Sequence, residues 1–161
     1  MGETIDEARL RALLPGAWRV AATNVPMWLA GDRLNPTVTY EVLGESPLVL
    51  GDEVAYRAPD GGEHRVAGQN RWRHGRFVHR ARSRLRLARS RWTVSGCSDD
   101  GTIAVVQFEP SRAIPDGVDV LVREGVHEPE LRRVVARATG TFGLSPEEFG
   151  SLTWLEAAGR R

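Results

Sequence analysis

The side chains best suited to chemistry in this chain sit on alternating segments, where every second residue faces the same way. Leu48–Arg57 sets Asp52 on one face with Leu48, Leu50, Val54 and Tyr56, while Glu53 and Arg57 point the other way. Glu63–Arg73 puts His64, Val66, Gly68, Asn70 and Trp72 together, and residues 76–82 do the same for Phe77, His79 and Ala81. In residues 36–43, Tyr40 shares its face with Val38 and Val42. A carboxylate turned inward among such neighbours must be paired, hydrogen-bonded or protonated. Asp52 lies on the segment before His64, and an Asp–His pair would set one imidazole tautomer and poise it for proton transfer near neutral pH. Tyr40, Asn70 and His79 would polarise a ligand carbonyl, with Asp52 as base or orienter. Each residue also has a plainer reading. Asp52 would bond backbone amides at a bulge, His64 would lie exposed at a rim, His79 would be a hydrogen-bonded core histidine, and Asn70 and Tyr40 would satisfy each other.

Other chemistries find less support. His64, His74, His79 and His127 show neither His-x-His nor His-Glu-x-x-His spacing, and Cys97 is the only cysteine, so neither a metal site nor an intrachain disulfide is expected. Cys97 sits in Gly-Cys-Ser-Asp-Asp-Gly, a hairpin-turn composition rather than a nucleophile's setting. No Gly-x-Gly-x-x-Gly, phosphate loop or serine elbow occurs, and no cofactor is expected.

The elements that must position these residues follow from the same periodicity. Residues 5–14 read as a short helix with Ile5, Leu10, Leu13 and Leu14 on its apolar side, stopped by Pro15-Gly16. Residues 17–23 read as a first strand, and 24–35 as a long loop whose Trp28 would act as a lid or mouth contact. Strands are expected at 36–43, 48–57, 63–73, 76–82, 84–96, 102–109 and 118–123. In 84–96 a phase slip near Leu87-Ala88 suggests a bulge: Leu85 and Leu87 face in before it, and Ala88, Ser90, Trp92 and Val94 after it. The period then changes. Residues 127–139 read as a helix with Leu131, Val134, Val135 and Ala138 as its buried stripe and Gly140 beyond its end. Ser145-Pro146 would open another helical turn, and 151–155 would add a short last strand. Eight consecutive strands between residues 17 and 123 predict one antiparallel up-and-down barrel, mainly β, with room inside for one small ligand.

Size and charge fit that reading. The chain has 161 residues, enough for a single domain spanning 1–161 that needs no staple. All 22 basic residues are Arg, against 21 acids, and residues 65–91 hold ten Arg and no acid. Such a block would bind nucleic acid, or it would be the solvated wall of the barrel. Alternation favours the wall, because Arg65, Arg71, Arg73, Arg76, Arg80 and Arg82 mostly oppose the inward face. Glu53, Glu128 and Glu130 would then partly neutralise them. An acidic beginning without an apolar signal core, and no apolar run approaching a membrane span of about 18 residues, give a cytoplasmic expectation.

Gly16-Ala17-Trp18, after a short helix and at the start of the first strand, resembles the general mark of the lipocalin or calycin superfamily. The resemblance implies that Arg123, just after the last barrel strand, packs over Trp18 as a structural pair closing the barrel base. It also implies that the helix at 127–139 lies on the barrel wall. The chain departs from many lipocalins in its lack of a disulfide pattern, and it has Ser98-Asp99-Asp100 where Thr-Asp-Tyr is typical. The stretch from Gly68-Gln-Asn through Ser90-Arg-Trp-Thr-Val to Asp119-Val-Leu-Val-Arg is similar to small bacterial and fungal lipocalin-like proteins. Some of those act as cofactor-free cyclases, including pericyclases of natural-product pathways.

The expectation is therefore a barrel that binds a small, largely apolar molecule and acts on it without cofactor as a cyclase or isomerase. Asp52, His79, Tyr40 and Asn70 are the candidate catalytic groups. Trp28, Tyr56, His64, Trp72 and Trp92 are the candidate ligand contacts. The alternatives are a carrier or sensor of a hydrophobic molecule, a haem-binding barrel, or a nucleic-acid-binding protein. The chain would act as a monomer or homodimer.

Overall fold

The computed structural model describes residues 5–81, 90–110 and 116–155. Helix α1 (Glu7–Leu13) leads into strand β1 (Gly16–Thr23), the one-turn helix α2 (Pro26–Leu29), and strands β2 (Leu34–Glu45), β3 (Leu48–Arg57), β4 (Glu63–Arg73), β5 (Arg76–Ala81), β6 (Ser90–Cys97), β7 (Ile103–Phe108) and β8 (Gly117–Arg123). Helices α3 (Leu131–Arg137) and α4 (Pro146–Gly150) and the short strand β9 (Thr153–Trp154) complete the chain. Each of the eight long strands pairs antiparallel with the next, and β8 returns to β1, so the sheet closes on itself. The result is an eight-stranded up-and-down barrel, in which closure removes the free edges of an open sheet.

Alternation locates β3 and β4 to the residue, because each has one face in the barrel and one in water. Elsewhere the structure departs from expectation. Residues 24–35 are not all loop: Pro26 starts α2, and β2 already begins at Leu34. Val42 is exposed, beside a register shift between Val42 and Gly44. The helix expected over 127–139 is confined to α3, where Leu131 and Val135 are buried and Val134 faces solvent. Its C-cap is Ala138, and the nearby left-handed residue is Gly143 rather than Gly140. The bulge near Leu87-Ala88, the inward Leu85, Leu87 and Ala88, and Arg82 lie outside the described residues.

Two apolar layers hold the barrel. Inside, Leu10, Leu14, Trp18, Leu48, Leu50, Phe77 and Leu121 pack into one cluster. Outside, Ala21, Ile103, Val105, Val120 and Val122 on the backs of β1, β7 and β8 are covered by Leu131, Val135, Phe142 and Leu144. Strands buried on both faces carry no alternation, hence the near-continuous apolar runs at 103–106 and 120–122. α4 begins with a full capping box, Ser145 and Glu148 each bonding the other's backbone N–H.

The barrel base is a closed unit. Trp18 is fully buried and its indole donates to the Leu14 carbonyl at 2.9 Å. The Arg123 guanidinium lies 4.0 Å above the Trp18 ring and donates to the carbonyls of Leu13 and Pro15. Gly16 has φ of 115°, and a Cβ there would stand 2.6 Å from Arg123 Nη1. Only glycine suits both demands, which gives the Gly16-Ala17-Trp18 motif its physical reason.

The described part of the arginine-rich stretch lies mainly on the outer wall. Arg65, Arg71, Arg73 and Arg80 are exposed. Arg65 bridges Glu53 at 2.5 Å and Glu63 at 2.8 Å, and the half-buried Arg76 pairs with Glu109 at 2.8 Å. Glu130 instead pairs with Arg133 on its own helix.

Candidate functional site

Above the base the barrel holds a cavity of about 450 Å³. Its wall is mostly aliphatic and aromatic: Val20, Val38, Val54, Trp92, Val106, Phe108 and Leu121 come from six strands, and Val25, Pro26, Met27 and Trp28 from α2 and the residue before it. Into this wall are set Thr37, Tyr40, Asp52, Asn70, His79, Ser90 and Asp119. Ligand sites commonly have this form, an apolar hollow with a few convergent polar groups.

Asp52 meets an imidazole, but that of His79 rather than His64. His79 Nε2 stands 3.3 Å from Asp52 Oδ2. The strand register explains the exchange of partners. Asp52 is opposite Gly68 on β4, Gly68 is opposite Ala81 on β5, and His79 is two residues along on the same face. The contact therefore passes over Gly68. A Cβ there would lie 2.5 Å from His79 Nε2 and 2.6 Å from Asp52 Oδ1, so the missing side chain makes the pairing possible. The Asp52 side chain is only 9% exposed, yet its Oδ1 has no hydrogen-bond partner among the described residues. Leaving a buried carboxylate oxygen unbonded is costly.

Asn70 is already engaged. It is 1% exposed, accepts from Trp92 Nε1 at 2.8 Å and donates to the Leu50 carbonyl at 3.3 Å. Its amide positions Trp92, which stacks on Phe77 at 4.5 Å and on Tyr40 at 5.7 Å between ring centres. Tyr40 is 8% exposed, and no described residue hydrogen-bonds its hydroxyl. Burial first, then the charges of Asp52 and Asp119, push the phenol far above its ordinary range, so it remains a neutral donor.

Three expected ligand contacts lie off the cavity lining. Tyr56 and His64 are opposite one another across β3 and β4 and stack at 5.3 Å, with Arg33 5.4 Å over Tyr56 and the edge of Trp28 beside it. His64 is exposed. Trp72 packs against the inner cluster, edge-on to Phe77 at 4.9 Å, and Phe77 in turn stacks on Trp92. Trp28 and Trp92 do line the cavity.

Asp119 was missed by sequence reasoning. It is 5% exposed, faces the cavity from β8, and accepts from Thr23 Oγ1 at 2.6 Å. Thr23 Oγ1 in turn accepts from the backbone N–H of Val25, the residue before α2. Burial pushes the Asp119 carboxyl up to about 6, against the opposing hydrogen bonds of Thr23 and Trp28. Its signal was present: one acid in Val118-Asp119-Val120-Leu121-Val122, in phase with Leu121 and with Arg123 over Trp18. Among the described residues, no group of three or more His, Cys, Asp or Glu side chains is placed to hold a metal ion.

No protein-family model matches the chain. No curated protein matches it either. Solved structures do resemble it. Lobster apocrustacyanin A1 superposes with a TM-score of 0.65 at 11% identity, covering 98% of this chain and 90% of that one. The amine-binding protein of Rhodnius prolixus, solved as its tryptamine complex, gives 0.63 at 11% identity, with 96% and 84% covered. The bovine lipocalin allergen Bos d 2 gives 0.57 at 13% identity, with 89% and 93% covered. Identities this low establish a shared architecture, the lipocalin fold, and leave function to be argued from the site.

Proposed function

We propose that the barrel binds a small, largely apolar organic molecule carrying a polar group, and acts on it by proton transfer without a cofactor, as an isomerase or cyclase. The observation that supports it is the Asp52–His79 pair facing an apolar hollow beside a neutral phenol. With a proton on His79 Nε2 directed at Asp52, the imidazole tautomer is set and Nδ1 is left as the base. Tyr40 donates a hydrogen bond to an oxygen on which charge builds as the proton leaves. The cavity confines a flexible molecule in one conformation, and α2 helps exclude water. Asn70 contributes by fixing Trp92 rather than by touching the reacting group.

A carrier without turnover is the second reading, supported by the shared fold of a protein solved with tryptamine bound. Native mass spectrometry of the protein from its host identifies the occupant, and that compound is then offered back to the purified protein. Catalysis predicts that Asp52→Asn and His79→Gln each lower kcat by about 100-fold or more while the dissociation constant changes by no more than about tenfold. No conversion by the unmodified protein leaves the carrier reading alone standing. No occupant, and no binding of any apolar compound offered, contradicts both.

A further inference from the structure

The cavity's polar lining has one sign. Among the described residues, no arginine lines the hollow. The charged groups that do are Asp52 and Asp119, with His79 the single titratable nitrogen. Even with a proton on His79, the cavity holds one positive charge against two carboxylates. Among the described residues neither carboxylate meets a guanidinium: Asp52 has the imidazole, and Asp119 has the Thr23 hydroxyl and the Trp28 indole. Arg123 is held at the base by Trp18 and two carbonyls.

A second, independent feature marks where a ligand's polar end sits. Tyr40 is more than nine-tenths buried, lines the same cavity, and has a hydroxyl that no described residue engages. The charges of Asp52 and Asp119 both act on that phenol, so the two negative fields converge there. A neutral hydroxyl in the field of two carboxylates accepts a hydrogen bond from a cation as readily as it donates one. The walls around it are apolar and shielded, so charge there is felt more strongly than in water.

We propose that the ligand is an amphipathic amine, bound as its ammonium ion with the charged end beside Tyr40 in the field of Asp52 and Asp119 and its apolar body against Trp28, Trp92 and Phe108. This names the ligand class of the site described above and rests on the reading that the cavity binds a small molecule. A carboxylate-headed molecule such as a fatty acid is disfavoured by the same arrangement, since among the described lining residues no arginine meets it.

Isothermal titration with n-octylamine, n-octanol and n-octanoate, near pH 8 where Asp119 is ionised, separates head-group charge from apolar body. The amine should bind about tenfold or more tightly than the alcohol, and the carboxylate more weakly than either. Asp119→Asn and Asp52→Asn should each erase at least about threefold of the amine-over-alcohol preference, with alcohol affinity held within about twofold as the control for an intact cavity. Equal binding of all three, or tightest binding of octanoate, overturns the amine proposal while leaving the cavity reading intact. Binding of none of the three overturns the cavity reading, and the amine proposal with it. The wild-type series needs no variant to fold, so the proposal stands or falls on it alone.

Discussion

The two ends of the barrel interior treat buried charge in opposite ways. At the base, Arg123 is stacked on Trp18 and donates to two carbonyls, so this arginine is fully occupied by its own fold. In the cavity, Asp52 keeps an unbonded oxygen, Tyr40 a hydroxyl that no described residue engages, and Asp119 a carboxyl pushed up to about 6. Arg123 and Asp119 even share the inward face of β8. What differs is whether the polar groups find their partners within the chain. Satisfied groups fasten a structure, whereas groups left wanting are stability given up for a partner yet to arrive.

That contrast makes the base the place where a mutation should damage stability most. Trp18→Ala removes a fully buried ring together with the platform for Arg123. It should cost about 3–5 kcal/mol in chemical denaturation, with ligand affinity of the remaining folded protein little changed. A loss below about 1 kcal/mol would break the comparison, because the base would then not be the fastening point.

Asp119→Asn should do the reverse, and only at neutral or higher pH. The folded protein holds the Asp119 proton at about 6, above the ordinary value of 3.8. The folded state is therefore favoured below about pH 4, and that advantage is lost as the pH rises through about 6. The difference corresponds to about 3 kcal/mol at most. Asn can still accept from Thr23 without carrying charge. The variant should be more stable than the parent at pH 8 and no more stable at pH 4, as denaturation at the two pH values will show.

Gly68→Ala sharpens the comparison at the cavity with a smaller expected stability effect. The added methyl enters the space where Asp52 and His79 approach, and it lies 3.0 Å from the Arg80 carbonyl. Stability should fall by about 1–3 kcal/mol. The more informative readout is the His79 imidazole, whose ring nitrogen NMR signals should move once Asp52 is forced away. Unmoved signals would mean that the pair does not depend on the glycine.

The outline of the barrel was legible because most strands have one wet face. Val38 and Tyr40 on β2, and Leu48 through Val54 on β3, announce the inward side by simple alternation. The Trp18–Arg123 stack was legible through a short motif whose glycine has a steric reason. Asp119 was legible only through its phase with Arg123 over Trp18, since β8 is apolar on both faces and alternation alone cannot say which way a lone acid points. The partner of Asp52 was not legible. Whether β4 or β5 supplies the imidazole depends on hairpin register across two turns, and the decisive residue, Gly68, acts by what it lacks. The early end of α3 and the single turn of α2 reflect tertiary packing that overrides weak local preference in short helices.

The account rests on carboxylates kept in the cavity without a cation of their own, and Asp119 is the one to watch directly. Carbon-detected NMR of its side-chain carboxyl, titrated with pH in the free protein and again with n-octylamine bound, reads its ionisation without perturbing the fold. The free protein should titrate near 6, and the amine should shift that value downward as its positive charge stabilises the carboxylate. A free value close to 3.8, or one that the bound amine leaves unmoved, would contradict the account.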